Sequence, residues 1–298
     1  MTSKADRRSV LAGLGAFGLA GCERAPGAEA RDAVEAFDLS ALETRDGGRL
    51  GFAMRDTGTR RQLAWRGGER FNYCSTFKLF LAAATLERVQ AGRERLDRAI
   101  PITAADMVPH APVTAAAVGS SLTVAELCQA TVEVSDNPAA NLLIQAYGGL
   151  DAWRGWFRSI GDAVTTVDRP EPRMNLKDGD KDTTTPNQTV ANLFKIYDAE
   201  NALRPRPELA IHLDEWLNAT ATGPNRIKAG VPAGWSVAHK TGTGGAGQTN
   251  DIGEIATISA RPIYVAVYYD APATLPEARR DAVIADATRI AMKALGHD

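Results

Sequence analysis

The stretch Cys74-Ser75-Thr76-Phe77-Lys78 decides how the chain is organised, because it sets a serine and a lysine three residues apart at the start of an apolar run. The run continues to Val89 and stops at Gly92, a pattern that predicts a buried helix closed by a glycine. Residues three apart share a helix face, so the two side chains can touch. Burial disfavours the ammonium form of Lys78 and would favour its action as a base.

A serine in the first turn of a helix lies beside backbone N–H groups and the positive end of the helix dipole. Both features suit a developing oxyanion at Ser75. An isolated S-x-x-K pattern is more often a capping serine followed by a lysine whose amine extends to the surface. The rest of the chain has to distinguish a nucleophile from an ordinary helix start.

Composition excludes several classes of protein. With 298 residues and 44% hydrophobic content, the chain can bury a core that suits one large domain or two interleaved subdomains. The net charge is −2 without long charged runs, so nucleic acid is not an expected partner. No G-x-S-x-G occurs, which argues against an α/β-hydrolase. No metal and no cofactor are expected, because the histidines lack ligand spacing: His110, His212, His239 and His297.

The N-terminal residues 1–22 are typical of an export signal. Arg7 and Arg8 precede an apolar run too short to span a bilayer, and a twin arginine indicates the Tat route. The run ends in Leu19-Ala20-Gly21-Cys22, which resembles a bacterial lipobox and predicts a lipid on Cys22. The alternative is an ordinary cleaved signal with a chance cysteine. We therefore expect an exported, periplasmic protein that contacts a membrane only through this lipid.

Residues 23–30 are predicted to form a tether, and the elements after it define the fold class. The sequence predicts helices in the middle and strands near both ends, which gives an α/β fold of the α+β type. An antiparallel sheet assembled from both termini is flanked by helices, and an all-helical domain is inserted. The proposed division is an α/β domain from 31–70 and 226–298 and a helical domain from 71–225. Predicted helices cover 31–44 and 276–295 and begin at Thr123, Asn137, Pro186 and Pro207, and predicted strands cover 50–55, 62–66, 235–240, 252–259 and 263–269.

Three further motifs carry side chains suited to chemistry. Ser135-Asp136-Asn137 precedes a predicted helix, where it could also be a simple cap. In the irregular stretch Arg169–Asn175, a glutamate and an asparagine four residues apart could hold one water, although a solvated loop is the simpler reading. Lys240-Thr241-Gly242 ends a strand, and its lysine precedes the glycines, which excludes a phosphate loop.

Taken together and in this order, S-x-x-K, S-D-N, E-x-x-x-N and K-T-G resemble the motif set of the class A serine β-lactamases. The resemblance runs from about residue 31 to the C-terminus. It implies a monomer that hydrolyses small-molecule β-lactams through a covalent acyl-serine. The alternatives are a penicillin-binding D-alanyl-D-alanine peptidase and a catalytically idle penicillin-binding module, and Glu171 favours hydrolysis because the peptidases lack a carboxylate poised for deacylation.

The resemblance also implies roles for the catalytic residues. Ser75 is the expected nucleophile and Lys78 its hydrogen-bonded partner, and either Lys78 or Glu171 through a water is the acylation base. The backbone N–H groups of Ser75 and Thr243 are expected to form the oxyanion hole. Ser135 is expected to pass a proton to the departing lactam nitrogen. The water that hydrolyses the acyl-enzyme is expected between Glu171 and Asn175.

The remaining roles concern substrate binding and loop structure. The resemblance implies that Asn137 binds the acylamide side chain of the substrate, that His110 lies at the pocket edge, and that Asp136 orders its own loop. An ion pair between Arg169 and Asp182 is expected to close the loop that carries Glu171, although this loop is shorter than the common pattern. The expected cradle for the substrate carboxylate consists of Lys240, Thr241, Gly242 and Thr243, with Arg226 as an extra cation from a neighbouring strand.

Two cysteine positions depart from the patterns of the family. Cys128 matches a disulfide position, but its usual partner position holds Ala82. Gly244 stands where some members place a cysteine that pairs with the one at Cys74. We therefore expect two buried thiols and no disulfide.

Overall fold

The central sheet in the computed structural model has six strands in the order β1-β3-β2-β10-β9-β8, and β1 runs parallel to β3 while the other neighbouring pairs are antiparallel. The structure describes residues 34–197 and 207–298, and all of them belong to one compact unit. The predicted signal, Cys22 and the tether lie outside the described residues. The strands are β1 Val34–Ala36, β2 Arg49–Asp56, β3 Gln62–Trp65, β4 Phe71–Asn72, β5 Ala99–Pro101, β6 Ser121–Thr123, β7 Thr183–Thr184, β8 Ser236–Thr243, β9 Gln248–Thr257 and β10 Ala260–Asp270.

Helices cover both faces of this sheet. They are α1 Ser40–Asp46, α2 Phe77–Gln90, α3 Val124–Glu133, α4 Asn137–Tyr147, α5 Leu150–Ser159, α6 Pro186–Tyr197, α7 Pro207–Asn218, α8 Ile227–Gly230 and α9 Glu277–Leu295. Alternate residues of each strand point to opposite faces, so β10 contributes Val265 and Val267 to a core with α1, α8 and α9. Ala266 and Tyr268 instead join the larger core with the helices between β4 and β8. The predicted α+β fold class is confirmed.

The predicted helix over 31–44 is wrong in its first half. Val34–Ala36 forms strand β1, which pairs with β3, and helix α1 begins only at Ser40. The edge of β3 presents backbone groups that need hydrogen-bond partners, and this short segment satisfies them. That requirement of the sheet overrides the local helical pattern.

Helix α2 forms the centre of the helical layer. Its residues from Phe77 to Leu86 are all buried, which explains why the sequence is apolar on every side. The predicted glycine stop is present: Gly92 has a φ of +68° and its N–H bonds to the Val89 carbonyl. Ser75 does not lie in the first turn of α2 but in a 3₁₀ turn, Cys74–Thr76, that precedes it. Within the described residues, no helix is both long and apolar enough to cross a membrane.

Candidate active site

Ser75 lies where the 3₁₀ turn before α2 meets strand β8. The turn packs so closely against Gly242 that a Cβ there would lie 2.7 Å from the Tyr73 carbonyl oxygen. Cys74 has a φ of +47°, a left-handed conformation that turns the chain sharply just before Ser75. Asn250 of β9 donates to the carbonyl oxygens of Asn72 and Tyr73. The nucleophile candidate is therefore fixed by the sheet as well as by the helix.

The hydroxyl of Ser75 donates to Glu171 Oε1 at 3.3 Å. The hydrogen bond expected between Ser75 and Lys78 is not formed in the part of the chain that the structure describes. Lys78 Nζ donates instead to the Ser135 carbonyl oxygen at 2.7 Å and to Asn137 Oδ1 at 2.6 Å. It lies 3.2 Å from Glu171 Oε1 and 3.2 Å from Ser135 Oγ. An ammonium with three hydrogens is saturated by these acceptors, so Glu171 connects Lys78 to Ser75.

Burial changes the proton affinity of Lys78. Its side chain and that of Glu171 are both fully buried. Loss of solvation lowers the pKa of the Lys78 amine, while the Glu171 carboxylate opposes this change. A lysine in this setting gives up its proton more readily than a lysine in water, as a base in the site requires.

Glu171 is held by two asparagines. Asn175 Nδ2 donates to Glu171 Oε2 at 2.5 Å, and Asn141 bonds both the N–H and the carbonyl oxygen of Glu171 at 3.0 and 2.9 Å. The Oδ1 atom of Asn175 is buried and accepts no hydrogen bond from the described residues. Glu171 and Asn175 therefore offer a carboxylate oxygen and a free amide oxygen close together, which suits one water molecule.

Sequence reasoning missed Asn141. It lies four residues after Asn137 in helix α4, so the two amides share one face of that helix. Asn137 reaches Lys78 and Asn141 reaches the backbone of Glu171. The spacing N-x-x-x-N directly after S-D-N was the signal that could have identified this residue.

The loop around Glu171 is closed despite its short length. Arg169 Nε lies 2.6 Å from Asp182 Oδ2. The other oxygen of Asp182 accepts the backbone N–H groups of Asp168 and Arg169 at 2.8 and 3.1 Å. Arg169 also donates to the Leu176 carbonyl oxygen at 2.6 Å. These bonds tie both ends of the loop together and fix Glu171 between them.

The S-D-N segment is ordered by its aspartate. Asp136 is fully buried and accepts hydrogen bonds from Val113, Thr114 and Ala139. Within this segment, Asp136 is the residue that caps helix α4, because its side chain accepts the N–H of Ala139. Ser135 has a φ of +61°, a conformation that the Asp136 bonds stabilise.

The opposite wall of the cleft is formed by the K-T-G strand. Lys240 is fully buried, and its amine donates to the Thr241 carbonyl oxygen at 2.9 Å. Burial, and next the nearby Lys78 ammonium, hold the pKa of Lys240 well below its usual range. The Thr241 hydroxyl bonds that of Thr222 at 2.6 Å, and Thr243 accepts from Arg226 Nη2 at 3.0 Å.

The prediction that Arg226 lies on a neighbouring strand is wrong. Arg226 immediately precedes the short helix α8, and only 4% of its surface is exposed. Its Nε lies 2.8 Å from Asp281 Oδ1, and its Nη1 donates to the Asn250 carbonyl oxygen at 2.9 Å. A guanidinium has five donors, and the packed chain around this one supplies acceptors for four of them.

Between the two walls lies a cleft of about 490 Å³. Ser75 and Thr243, whose backbone N–H groups are the expected oxyanion donors, both line it. His110 lies on its edge, with Nε2 2.9 Å from the Val134 carbonyl oxygen. Other predicted residues that line the cleft are Ser135, Asn137, Asn175, Thr241 and Arg226.

Cys74 and Cys128 are buried free thiols, as predicted. Within residues 34–197 and 207–298, no group of three or more metal-binding side chains occurs.

The cleft combines a serine, a carboxylate, a buried lysine and a cationic wall, which is the K-T-G strand with Lys240 and Arg226. Such a set can transfer an acyl group to serine and then to water.

Comparison with known proteins identifies the family. Residues 36–295 match the family model described as "Beta-lactamase enzyme family". The chain is 38% identical to beta-lactamase OXY-2 of Klebsiella oxytoca over 86% of its length and 88% of that protein. It is 38% identical to beta-lactamase L2 of Stenotrophomonas maltophilia, over 88% of this chain and 86% of that one.

Solved structures agree with this assignment. An ancestral class A beta-lactamase is 48% identical, with a TM-score of 0.81, over 86% of this chain and 98% of that one. A beta-lactamase from Burkholderia vietnamiensis is 38% identical, with a TM-score of 0.82, over 86% of this chain and 94% of that one. The chain therefore belongs to the class A serine β-lactamases.

Proposed function

We propose that this chain hydrolyses β-lactams through an acyl-enzyme formed on Ser75. The observation that carries the proposal is that Glu171 Oε1 lies 3.3 Å from Ser75 Oγ and 3.2 Å from Lys78 Nζ. One carboxylate oxygen can thus reach the nucleophile and the buried amine. This arrangement supports acylation and deacylation in one site.

In acylation, Ser75 Oγ attacks the lactam carbonyl carbon and its proton passes to a base. Glu171, directly or through a water, and Lys78 both remain candidates for this base, since they share one hydrogen-bond network. The backbone N–H groups of Ser75 and Thr243 stabilise the oxyanion. The carbon–nitrogen bond then breaks, and Ser135 donates its hydroxyl proton to the departing nitrogen. Lys78 Nζ lies 3.2 Å from Ser135 Oγ and can return that proton.

In deacylation, a water between Glu171 and Asn175 attacks the ester carbon. Glu171 accepts a proton of this water, the bond between the ester carbon and Ser75 Oγ breaks, and Ser75 recovers its hydroxyl proton from the network of Glu171 and Lys78. The free Oδ1 of Asn175 and the carboxylate supply the two acceptors that orient the water. Asn137 binds the acylamide group of the substrate and His110 borders it at the cleft edge.

The substrate carboxylate is bound at the opposite wall. Thr241 and Thr243 line the cleft, and the buried Lys240 supplies positive charge behind them. Arg226 supports this wall by donating to Thr243. The wall orients the lactam ring with its carbonyl towards Ser75.

A coloured cephalosporin tests this function. The purified chain should open the ring with many turnovers per enzyme molecule, and Ser75→Ala should abolish the colour change. Gly242→Ala is not a suitable control because that position touches the turn of Ser75, whereas Ser236→Ala at the exposed start of β8 should keep full activity. A wild-type chain that binds the compound once and never turns over would contradict hydrolysis.

The sequence before the described residues supports a second proposal. We propose Tat export, a periplasmic location and a lipid on Cys22, which the twin arginine and the L-A-G-C tetrapeptide support. Separately, we propose that the protein is a monomer. Stable anchoring needs more than one acyl chain. Cys22→Ser should release active enzyme from the membrane fraction, and unchanged sedimentation with membranes would contradict the anchor.

A further inference from the structure

A buried histidine–aspartate pair joins β8 to β9. His239 and Asp251 are both fully buried, and His239 Nδ1 lies 2.9 Å from each oxygen of the Asp251 carboxylate. Side chains alternate along a strand, so His239 shares the face of β8 with Val237, and Lys240 points the other way. This pair lies on the face of the sheet covered by α8 and α9 and takes no part in the chemistry described above.

Asp251 connects this pair to the cationic wall. Its Oδ2 accepts the backbone N–H of Ile227 at 3.2 Å, the first residue of helix α8. The residue immediately before is Arg226, whose own side chain does not cap the helix. Asp251 therefore caps helix α8 and fixes the backbone from which Arg226 extends to Thr243.

The contacts around the pair suit a neutral imidazole. Asp251 is the carboxylate that His239 contacts, and the nearby Arg226 is already paired with Asp281. His239 Nε2 is buried without a hydrogen-bond partner, and a protonated ring would bury an unsatisfied N–H there. A neutral imidazole that donates through Nδ1 fits this environment.

We propose that His239 is a positioning residue, which holds Asp251 so that Arg226 keeps the geometry with which it supports Thr243 at the wall that binds the substrate carboxylate. This inference rests on the proposed function and assigns a role in it to a residue outside the cleft. The contribution appears in substrate binding and not in the chemical step, because the pair touches neither Ser75 nor Glu171.

Two substitutions separate positioning from packing. His239→Leu fills similar space but removes the donor, whereas His239→Asn keeps an N–H close to the position of Nδ1. The matched control is Val237→Ala, a buried position on the same face of β8 that makes no polar contact with Asp251. Each variant is assayed on a penicillin and on its methyl ester, and thermal unfolding is recorded beside the kinetics.

For His239→Leu we expect kcat/KM on the penicillin to fall about 10-fold through a raised KM, because one hydrogen bond to a charged group is lost. The ester, which lacks the negative charge, should change little, and His239→Asn should restore most of the activity on the acid. If His239→Leu does not fold, His239→Asn is compared with His239→Gln instead, because the longer side chain of glutamine displaces the donor. The ratio of kcat/KM on the penicillin to kcat/KM on its ester should then be lower for His239→Gln.

An equal loss on the acid and the ester would overturn the inference, as would a Val237→Ala variant with the same acid-specific loss. Failure of the wild-type chain to turn over the acid would overturn the proposed function together with this inference. A loss shared by both substrates in an otherwise active enzyme overturns the role of His239 alone.

Discussion

On one side of the cleft, Lys78 and Glu171 neutralise each other at 3.2 Å, whereas on the other side the ammonium of Lys240 is buried without a salt bridge among the described residues. Arg226 beside it is already paired with Asp281. The catalytic side therefore carries its compensating charge within the protein. The side with Lys240 leaves one buried cation without a salt bridge, and we expect an anionic substrate to supply the missing charge.

Removing Lys78 tests the self-neutralised side and should have the largest effect. We expect Lys78→Met to lower kcat/KM by about 10²–10⁴-fold, the usual contribution of a proton-transfer group. The variant should also lose roughly 3 kcal/mol of stability, because the carboxylate of Glu171 stays buried without its partner. Measurements of turnover and of denaturant unfolding check the two effects.

The double variant Lys78→Met/Glu171→Gln is the control for this pair. Replacing the carboxylate by a neutral amide should recover most of the lost stability but none of the activity. If the double variant is less stable than Lys78→Met, the two charges do not compensate each other.

Removing Lys240 tests the side that leaves its charge to the substrate. Lys240→Ala should lower kcat/KM on a penicillin by about 10–100-fold, and the methyl ester should be affected much less. Stability should hold or rise, because the variant removes a buried cation that the free enzyme does not compensate. A clear loss of stability with equal losses on both substrates would show that Lys240 has a structural partner instead.

The pH profile sharpens the same comparison. Burial lowers the pKa of Lys240, so its ammonium should lose its proton below the ordinary lysine value of about 10.4. The activity kcat/KM on the acid should fall as pH rises through this lowered pKa. In Lys240→Arg the fall should move to higher pH, because a guanidinium keeps its proton. An unchanged alkaline limb would assign the fall to another group.

Arg226 should show the smallest catalytic effect and a clear loss of stability. We expect Arg226→Ala to lower kcat/KM on the acid by about 10-fold, since one donor to Thr243 is lost. Unfolding should become easier, because Asp281 remains largely buried without a partner. Arg226→Ala/Asp281→Asn should recover stability, and a stable single variant would contradict the buried ion pair.

The sequence predicted most of the fold because its cores follow regular patterns. The apolar run of α2 and the alternating strands at the C-terminus appear where they were expected. The first strand was missed because its structure depends on the unpaired edge of β3, which lies 26 or more residues further along the chain. The periodicity of neighbouring residues carries no information about a pairing partner so far along the chain.

The same limit applies to the candidate site. The motifs predicted which side chains meet, but the spacing of Ser75 and Lys78 suggested a direct bond that the structure replaces with Glu171. Lys78 is bonded by residues 57 and 59 positions away. The burial of Arg226 likewise depends on Asp281, 55 residues later. Contacts over such distances come from the assembled fold and not from neighbouring residues.

The central claim is that Glu171 activates the water that frees Ser75, and the mass spectrum of Glu171→Gln after mixing with a penicillin tests it most directly. We expect an adduct of the intact penicillin mass that persists for long after wild type has returned to its free mass, on a peptide that contains Ser75. Loss of the base should slow deacylation by about 10²–10⁴-fold. Rapid return of the variant to its free mass, or an adduct on another residue, would contradict the account.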